Sequence, residues 1–135
     1  FMWRNEHAFT KWWSDRLVQC GCYVYPIVAN RMQPAGLPDR FVAGPDLPGV
    51  WLESKFKDGK LRELQKVVHE RMNRFGSPAL VIRGQYPYVE LEVWHKGRLK
   101  HLHSAELPGA VQLRTMVRKA IGDARAMGAV QFAYL

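Results

Sequence analysis

Trp51-Leu52-Glu53-Ser54-Lys55-Phe56 is an apolar and aromatic run with no breaker inside it, the pattern of a β-strand. Successive strand side chains point to opposite faces, so Glu53 and Lys55 must project from the same side. A carboxylate and an ammonium then stand next to each other. Upstream, Gly36-Leu37-Pro38-Asp39 sets a second carboxylate directly after a proline. Between them lies Gly44-Pro45-Asp46-Leu47-Pro48-Gly49, whose turn chemistry lets the chain fold back as a hairpin and bring Asp39 to Glu53.

This set has a charge logic. Hard divalent cations such as magnesium take oxygen ligands, often one or two carboxylates completed by waters and substrate phosphate oxygens. A cation so held polarises a phosphate, generates or orients hydroxide and neutralises the leaving oxygen. Lys55 adds positive charge where negative charge develops in the transition state. Alone, Glu-x-Lys is equally a surface ion pair and Pro-Asp equally a turn. Their order, with a turn between and a strand beneath, points to phosphodiester chemistry.

The chain has 135 residues, 47% hydrophobic and 24% charged, which predicts one globular domain around one core. Twenty Lys and Arg against 12 Asp and Glu leave a net charge of +8 and favour a polyanionic partner. The basic residues are spread along the chain and not gathered beside an apolar anchor, which argues against a membrane-surface role. No apolar run is long enough to cross a bilayer and no signal-peptide pattern is present. Cys20 and Cys22 flank a single glycine, too close for an easy disulfide and too few for a zinc site. They are read as reduced thiols of an intracellular protein.

Along the chain, Arg4 to Gln19 reads as an amphipathic helix with Asn5 as N-cap and Phe9, Trp13, Leu17 and Cys20 as its apolar stripe. Gly21 ends it, and Cys22 to Ala29 follows as a strand that Pro26 assigns to an edge or a bulge. A polar loop from Asn30 to Gly36, a short strand Arg40 to Ala43 and the strand Val50 to Phe56 come next. Leu61, Leu64, Val68, Met72 and Phe75 recur at helical spacing over Lys60 to Phe75, and Ala79 to Arg83 reads as a buried strand. The order helix, three strands, helix, strand predicts an α/β fold with a mixed sheet, because a helical crossover favours a parallel pair. Beyond Gly84, Tyr88 to Trp94 and Leu99 to His103 form a hairpin. Ala110 to Met127 is a helix with Leu113, Val117, Ala120, Ile121 and Ala124 on one face, and Val130 to Leu135 closes as a strand.

An early-Glu helix, Gly36-Leu37-Pro38-Asp39, Glu53-Ser54-Lys55 and Leu61-x-x-Leu64-Gln65-x-x-x-His69 together resemble the PD-(D/E)xK nuclease superfamily, nearest its virus-type replication-repair (VRR-NUC) branch of small phage and bacterial proteins. The resemblance runs from about Glu6 to Arg83. It implies a restriction-endonuclease-like core within residues 1–84 of a single nuclease domain 1–135, and residues 85–135 as an added hairpin and basic helix. It further implies Asp39, Glu53, the main chain of Ser54 and Glu6 as ligands of Mg2+ or Mn2+. Lys55 is the implied catalytic lysine and Gln65 completes the catalytic set with Asp39 and Glu53.

The expected activity is metal-dependent DNA endonuclease cleavage, a hydrolase leaving a 5′-phosphate. Branched duplex is the expected substrate, in DNA repair of the Holliday-junction-resolvase kind. Two opposed cuts require a homodimer. The expected place is the cytoplasm of a bacterial or phage-infected host cell, with no membrane partner and no nucleotide cofactor. Arg31, Arg40, Lys57, Lys60 and Arg62 lie near the site in sequence and are candidate phosphate contacts.

Competing readings stand beside these. The fold can be a catalytically inactive DNA-binding domain on a nuclease scaffold, or a sequence-specific restriction-type endonuclease. Gln65 can be a solvated helix residue and Glu6 an N-terminal helix charge. The C-terminal helix can touch DNA through Arg114, Arg118, Lys119 and Arg125, pair subunits, or pack its apolar face on the sheet. His101 and His103, on one side of a strand, can chelate a metal or contact DNA. His69, one turn after Gln65, can face the site or the solvent. Trp3, Trp12 and Trp13 can stack on bases, although Trp13 is assigned to the core.

Overall fold

Among the described residues, the pairing of Trp51–Phe56 with Ala79–Gly84 across a helical crossover is the one parallel pairing in a six-stranded sheet whose strands lie in chain order. The computed structural model describes residues 3–27 and 35–132. Within them the elements are α1 (Glu6–Gln19), β1 (Tyr23–Pro26), β2 (Arg40–Gly44), β3 (Leu47–Phe56), α2 (Glu63–Arg74), β4 (Ala79–Gln85), β5 (Tyr88–His95), β6 (Arg98–Glu106) and α3 (Ala110–Phe132). The sheet is thus mixed and the fold α/β, as the element order predicts.

Local chemistry explains the boundaries. Asn5 caps α1 by accepting from the Ala8 N–H at 2.8 Å, and Gly21 leaves the helix at φ +92°. Pro26 sits on β1, an edge strand, where a missing N–H costs no ladder bond. The β2–β3 turn is tighter than expected. Gly44 pairs with Leu47, Asp46 takes φ +56°, and β3 therefore begins at Leu47 instead of Val50. The predicted strand from Cys22 is described only as Tyr23–Pro26, and Val28, Ala29 and the Asn30–Pro34 part of the loop, Arg31 included, lie outside the described residues. The expected C-terminal strand is not formed among the described residues. Val130 to Phe132 continue α3, and residues 133–135 lie outside the described residues.

The two sheet faces are covered differently. Ser54 points to α1, where its Oγ receives Thr10 Oγ1–H at 2.6 Å and Trp13 Nε1–H at 3.2 Å. Its neighbour Glu53 points the other way, toward His69 of α2. On the first face α1 and α3 pack together over the sheet. Phe9, Trp13, Leu17, Leu52, Leu80, Ile82, Leu91, Leu113 and Ile121 form its core. Gly84 lies so close beneath the Phe9 ring that an added Cβ would sit 2.8 Å from it. The buried stripe of α3, Leu113, Val117, Ala120, Ile121 and Ala124, is the one its spacing predicts, so this helix packs on the sheet while Arg118, Lys119 and Arg125 stay exposed.

Trp3 and Trp12 are buried with Phe9, at ring-centroid distances of 4.8 Å for Trp3–Phe9 and 5.0 Å for Trp3–Trp12. All three N-terminal tryptophans are therefore core, which removes them as base-stacking candidates.

The apolar spacing misleads at α2. Leu64 and Phe75, on the predicted stripe, are exposed, and the residues this helix buries are Gln65 and His69. The helix starts at Glu63, with Leu61 buried ahead of it. The paired histidines are also separated. A bulge opposite Leu91 and Glu92 inserts Leu102 as an extra residue, so His101 and His103 leave the strand on opposite sides. His101 Nδ1 lies 3.8 Å from Glu90, whereas His103 Nε2 lies 2.7 Å from Asp123 of α3. They cannot chelate one ion together.

Candidate active site

β3 carries the site because it is central and pairs on both sides, so its alternation is rigid. Glu53 is 2% and Lys55 9% exposed, and Lys55 Nζ stands 3.9 Å from Glu53 Oε2. Asp39 arrives from the loop before β2. There its Oδ2 accepts the Ser54 main-chain N–H at 2.7 Å, fixing the aspartate beside the strand and opposite Glu53. The Gly36-Leu37-Pro38 segment makes this possible. Gly36 adopts φ +89° and its α-carbon rests on the N-terminus of α2, where an added Cβ would approach the Leu64 carbonyl oxygen to 2.7 Å. The motif's glycine thus presses the loop onto α2 and its aspartate onto β3.

Burial and crowding set the electrostatics. Burial first, then the neighbouring Asp39 carboxylate, push the Glu53 carboxyl up to about 9, against the pull of Lys55. Glu53 Oε1 is fully buried and has no hydrogen-bond partner. Facing it at 4.0 Å is Nε2 of His69, also fully buried, with both ring nitrogens unpartnered. Burial, reinforced by the Lys55 charge and opposed by a weak main-chain contact with Ala79 that falls short of good hydrogen-bond geometry, lowers His69 to about 4, so its imidazole is neutral. Unpaired polar atoms in a closed interior are costly, and here they cluster on one carboxylate.

The remaining residues fall around this centre. Glu6 is exposed at the start of α1. Partial burial raises its carboxyl, Lys55 draws it back and Asp39 raises it further, which places Glu6 within the field of the site. Gln65 is buried one turn before His69, and its Oε1 accepts the Arg62 N–H at 2.9 Å, fastening the first turn of α2. Arg83, opposite Lys55 in the parallel register, donates to the carbonyls of Lys57 and Gly59 and to Glu92. It thereby holds the turn that carries Lys57. Lys57, Lys60 and Arg62 are exposed along this rim, and Arg40 donates to the Asp39 carbonyl at 2.9 Å. Arg31 lies outside the described residues.

Asp39, Glu53 and Lys55 are therefore brought together, with Glu6 at the margin and Gln65 on the overlying helix. His69 belongs to the centre more firmly than its sequence context indicates. Its position four residues after Gln65, on one helix face, was the available clue. Among the described residues no three His, Cys, Asp or Glu side chains converge on a point where they would hold a metal ion. The acidic donor set is the pair Asp39 and Glu53.

Comparison with known proteins adds nothing to this geometry: no family model, no curated protein and no solved structure matches the chain.

Proposed function

We propose that this chain is a metal-dependent DNA endonuclease with a restriction-endonuclease-like core. The observation that carries the reading is the convergence of Asp39, Glu53 and Lys55 on one face of β3, with a buried Glu53 oxygen left unpartnered. Two crowded carboxyls, one of them holding its proton to about 9, are an arrangement that a cation would relieve. A pair of carboxylates completed by main chain, water and phosphate oxygens suits Mg2+ or Mn2+, which keep several waters and do not need a full protein cage. The residues present thus fit the ion.

Asp39 and Glu53 would hold it, with the Ser54 carbonyl and Glu6 as further oxygen donors. When bound, it supplies Lewis-acid polarisation of the phosphate and an ionised water. Lys55 faces the scissile phosphate, orients the attacking water and offsets the charge that grows on the phosphoryl oxygens. Neutral His69 and the α2 helix close the inner wall of the site and keep bulk water from Glu53. Gln65 holds the N-terminal turn of α2 against the Gly36 loop and with it the position of Asp39. Arg40, Lys57, Lys60 and Arg62 supply sequence-independent phosphate contacts. Branched duplex in repair, cut by a homodimer in the cytoplasm, is the sharper form of the proposal, and the +8 net charge supports a polyanionic substrate.

The test is cleavage of labelled four-way junction, flap, single-stranded and linear duplex DNA with Mg2+, Mn2+ or EDTA. Metal-dependent cutting that disappears in Lys55→Ala is the expected result, with paired nicks at the junction for a dimeric resolvase. Binding of every substrate with cutting of none would make the chain a DNA-binding domain.

A further inference from the structure

The face that carries Glu53 does not end at the carboxylates. Strand pairing sets Tyr25 opposite Phe41 and Phe41 opposite Trp51, one row of rings across β1, β2 and β3. Trp51 lies two residues before Glu53, so it shares that face. Tyr23 lies two residues before Tyr25, and their rings stack with centroids 6.1 Å apart and planes 13° from parallel. Phe41 meets Trp51 edge to face at 4.9 Å. The other side of the same strands is ordinary core, with Val42, Val50 and Leu52 fully buried. On the aromatic side α2 packs against β4 and β5. Tyr23 and Tyr25 are left 65% and 52% exposed.

The row begins beside the carboxylate pair and reaches the sheet edge two strand spacings away, roughly 10 Å. Stacked, solvent-facing rings next to a phosphate-directed lysine suit nucleic-acid bases, because every base has a π-face and stacks on an aromatic regardless of sequence. Charge selects this occupant over a second copy of the chain. A net +8, with Arg40, Lys57 and Lys60 beside this face, attracts a polyanion to it, whereas a second copy would bring no opposite charge. Paired bases are already stacked inside their duplex, so only unpaired ones can use the row.

We propose that Tyr23, Tyr25, Phe41 and Trp51 form a stacking platform for unpaired nucleotides adjoining the phosphate at Lys55. The substrate class is then DNA with a single-stranded segment at the cut, a conclusion that rests on the nuclease reading for the cut and on the platform for the unpaired bases. Phe41 and Trp51 hold the inner end of the row, and the two tyrosines extend it.

The experiment separates these two supports. Fluorescence anisotropy in EDTA would compare a labelled oligothymidine with a duplex of equal length. The proteins are wild type, Tyr23→Ala/Tyr25→Ala and Tyr23→Phe/Tyr25→Phe, with thermal melts confirming that these exposed changes leave the fold intact. The alanine pair should weaken single-strand binding at least about tenfold and duplex binding less than about twofold, while the phenylalanine pair retains both. Equal losses on the two DNAs, or no loss on the single strand, overturn the platform. So does an alanine pair that converts a dimer to monomer in sedimentation without changing single-strand affinity, since the face is then a contact between copies. Cleavage by wild type and Lys55→Ala is scored separately. Cutting that depends on Lys55 with an inert tyrosine pair removes the platform and keeps the nuclease. Selective single-strand binding without any cutting does the reverse.

Discussion

The two faces of one strand, β3, obey opposite rules. Toward α1 and α3 it presents Val50, Leu52 and Ser54, and the one polar group there has its oxygen engaged by Thr10 and Trp13. Toward α2 it presents Glu53 and Lys55, almost as deeply buried, facing a helix that buries Gln65 and His69 in place of leucines. The first face is where folding free energy comes from. The second spends some of it, holding the Glu53 carboxyl with one oxygen unpartnered and the buried His69 imidazole beside it. The contrast teaches that burial alone does not mark the core of this protein. The chemistry of what is buried divides structure from site.

If that division holds, substitutions on the two faces should fail in different assays. The largest effect belongs to Lys55→Ala, which should slow metal-dependent cleavage about a thousandfold while the melting temperature stays level or rises. A parallel loss of fold would break the contrast. On the other face Leu52→Ala should cost about 3 kcal/mol in urea unfolding and leave the cleavage rate per folded molecule unchanged.

The pH dependence of stability reads both site groups at once. Glu53 keeps its proton to about 9 against an ordinary 4.5, so without metal the stability it contributes below 4.5 is lost as pH rises through that window. His69 is lowered from 6.5 to about 4, so its contribution is present above 6.5 and lost as pH falls through that range. The slopes oppose each other between about 4.5 and 6.5, and from 6.5 to about 9 only the Glu53 decline remains. Melting curves in EDTA should show that decline, Glu53→Gln should remove it, and saturating Mg2+ should oppose it. Smaller still, Gln65→Ala should cost about 1 kcal/mol through the loosened first turn of α2. Its cleavage rate decides whether Gln65 also acts in catalysis. Leu64→Ala, exposed despite lying on the apolar spacing, should stay within about 0.5 kcal/mol.

The apolar face was legible in advance because it follows periodicity. The stripes of α1 and α3, the Asn5 cap and the parallel pair all come from spacing and turn chemistry. The shared face of Glu53 and Lys55 was legible for the same reason, since strand alternation is geometric. The polar face was not. Periodicity equates buried with apolar, and at α2 it therefore selected Leu64 and Phe75 over Gln65 and His69. The split of His101 from His103 hides in one extra residue, Leu102, which no spacing rule reveals. Trp12 falls beside the apolar stripe of α1 on a helical wheel, yet Trp3 folds back and covers it. The aromatic row escaped notice because its members come from three strands whose register only the folded sheet displays.

The parallel pairing of β3 with β4 has a consequence for how the molecule assembles. It divides the sheet into two meanders, β1-β2-β3 and β4-β5-β6, each built from antiparallel neighbours close in sequence, with rapidly formed local contacts. Among the described strands the longest closure is the seam between β3 and β4, with Trp51 finding Ala79 across the whole of α2. The helices stitch the same seam from the other side, where Arg114 of α3 donates to the Cys20 carbonyl and Arg16 of α1 to that of Pro108. Glu53 and Lys55 lie on this join, under the helix that spans it. The β2–β3 hairpin thus sets Asp39 beside Glu53 locally, and the closure that covers the pair with His69 of α2 and joins it to β4 is the less local one.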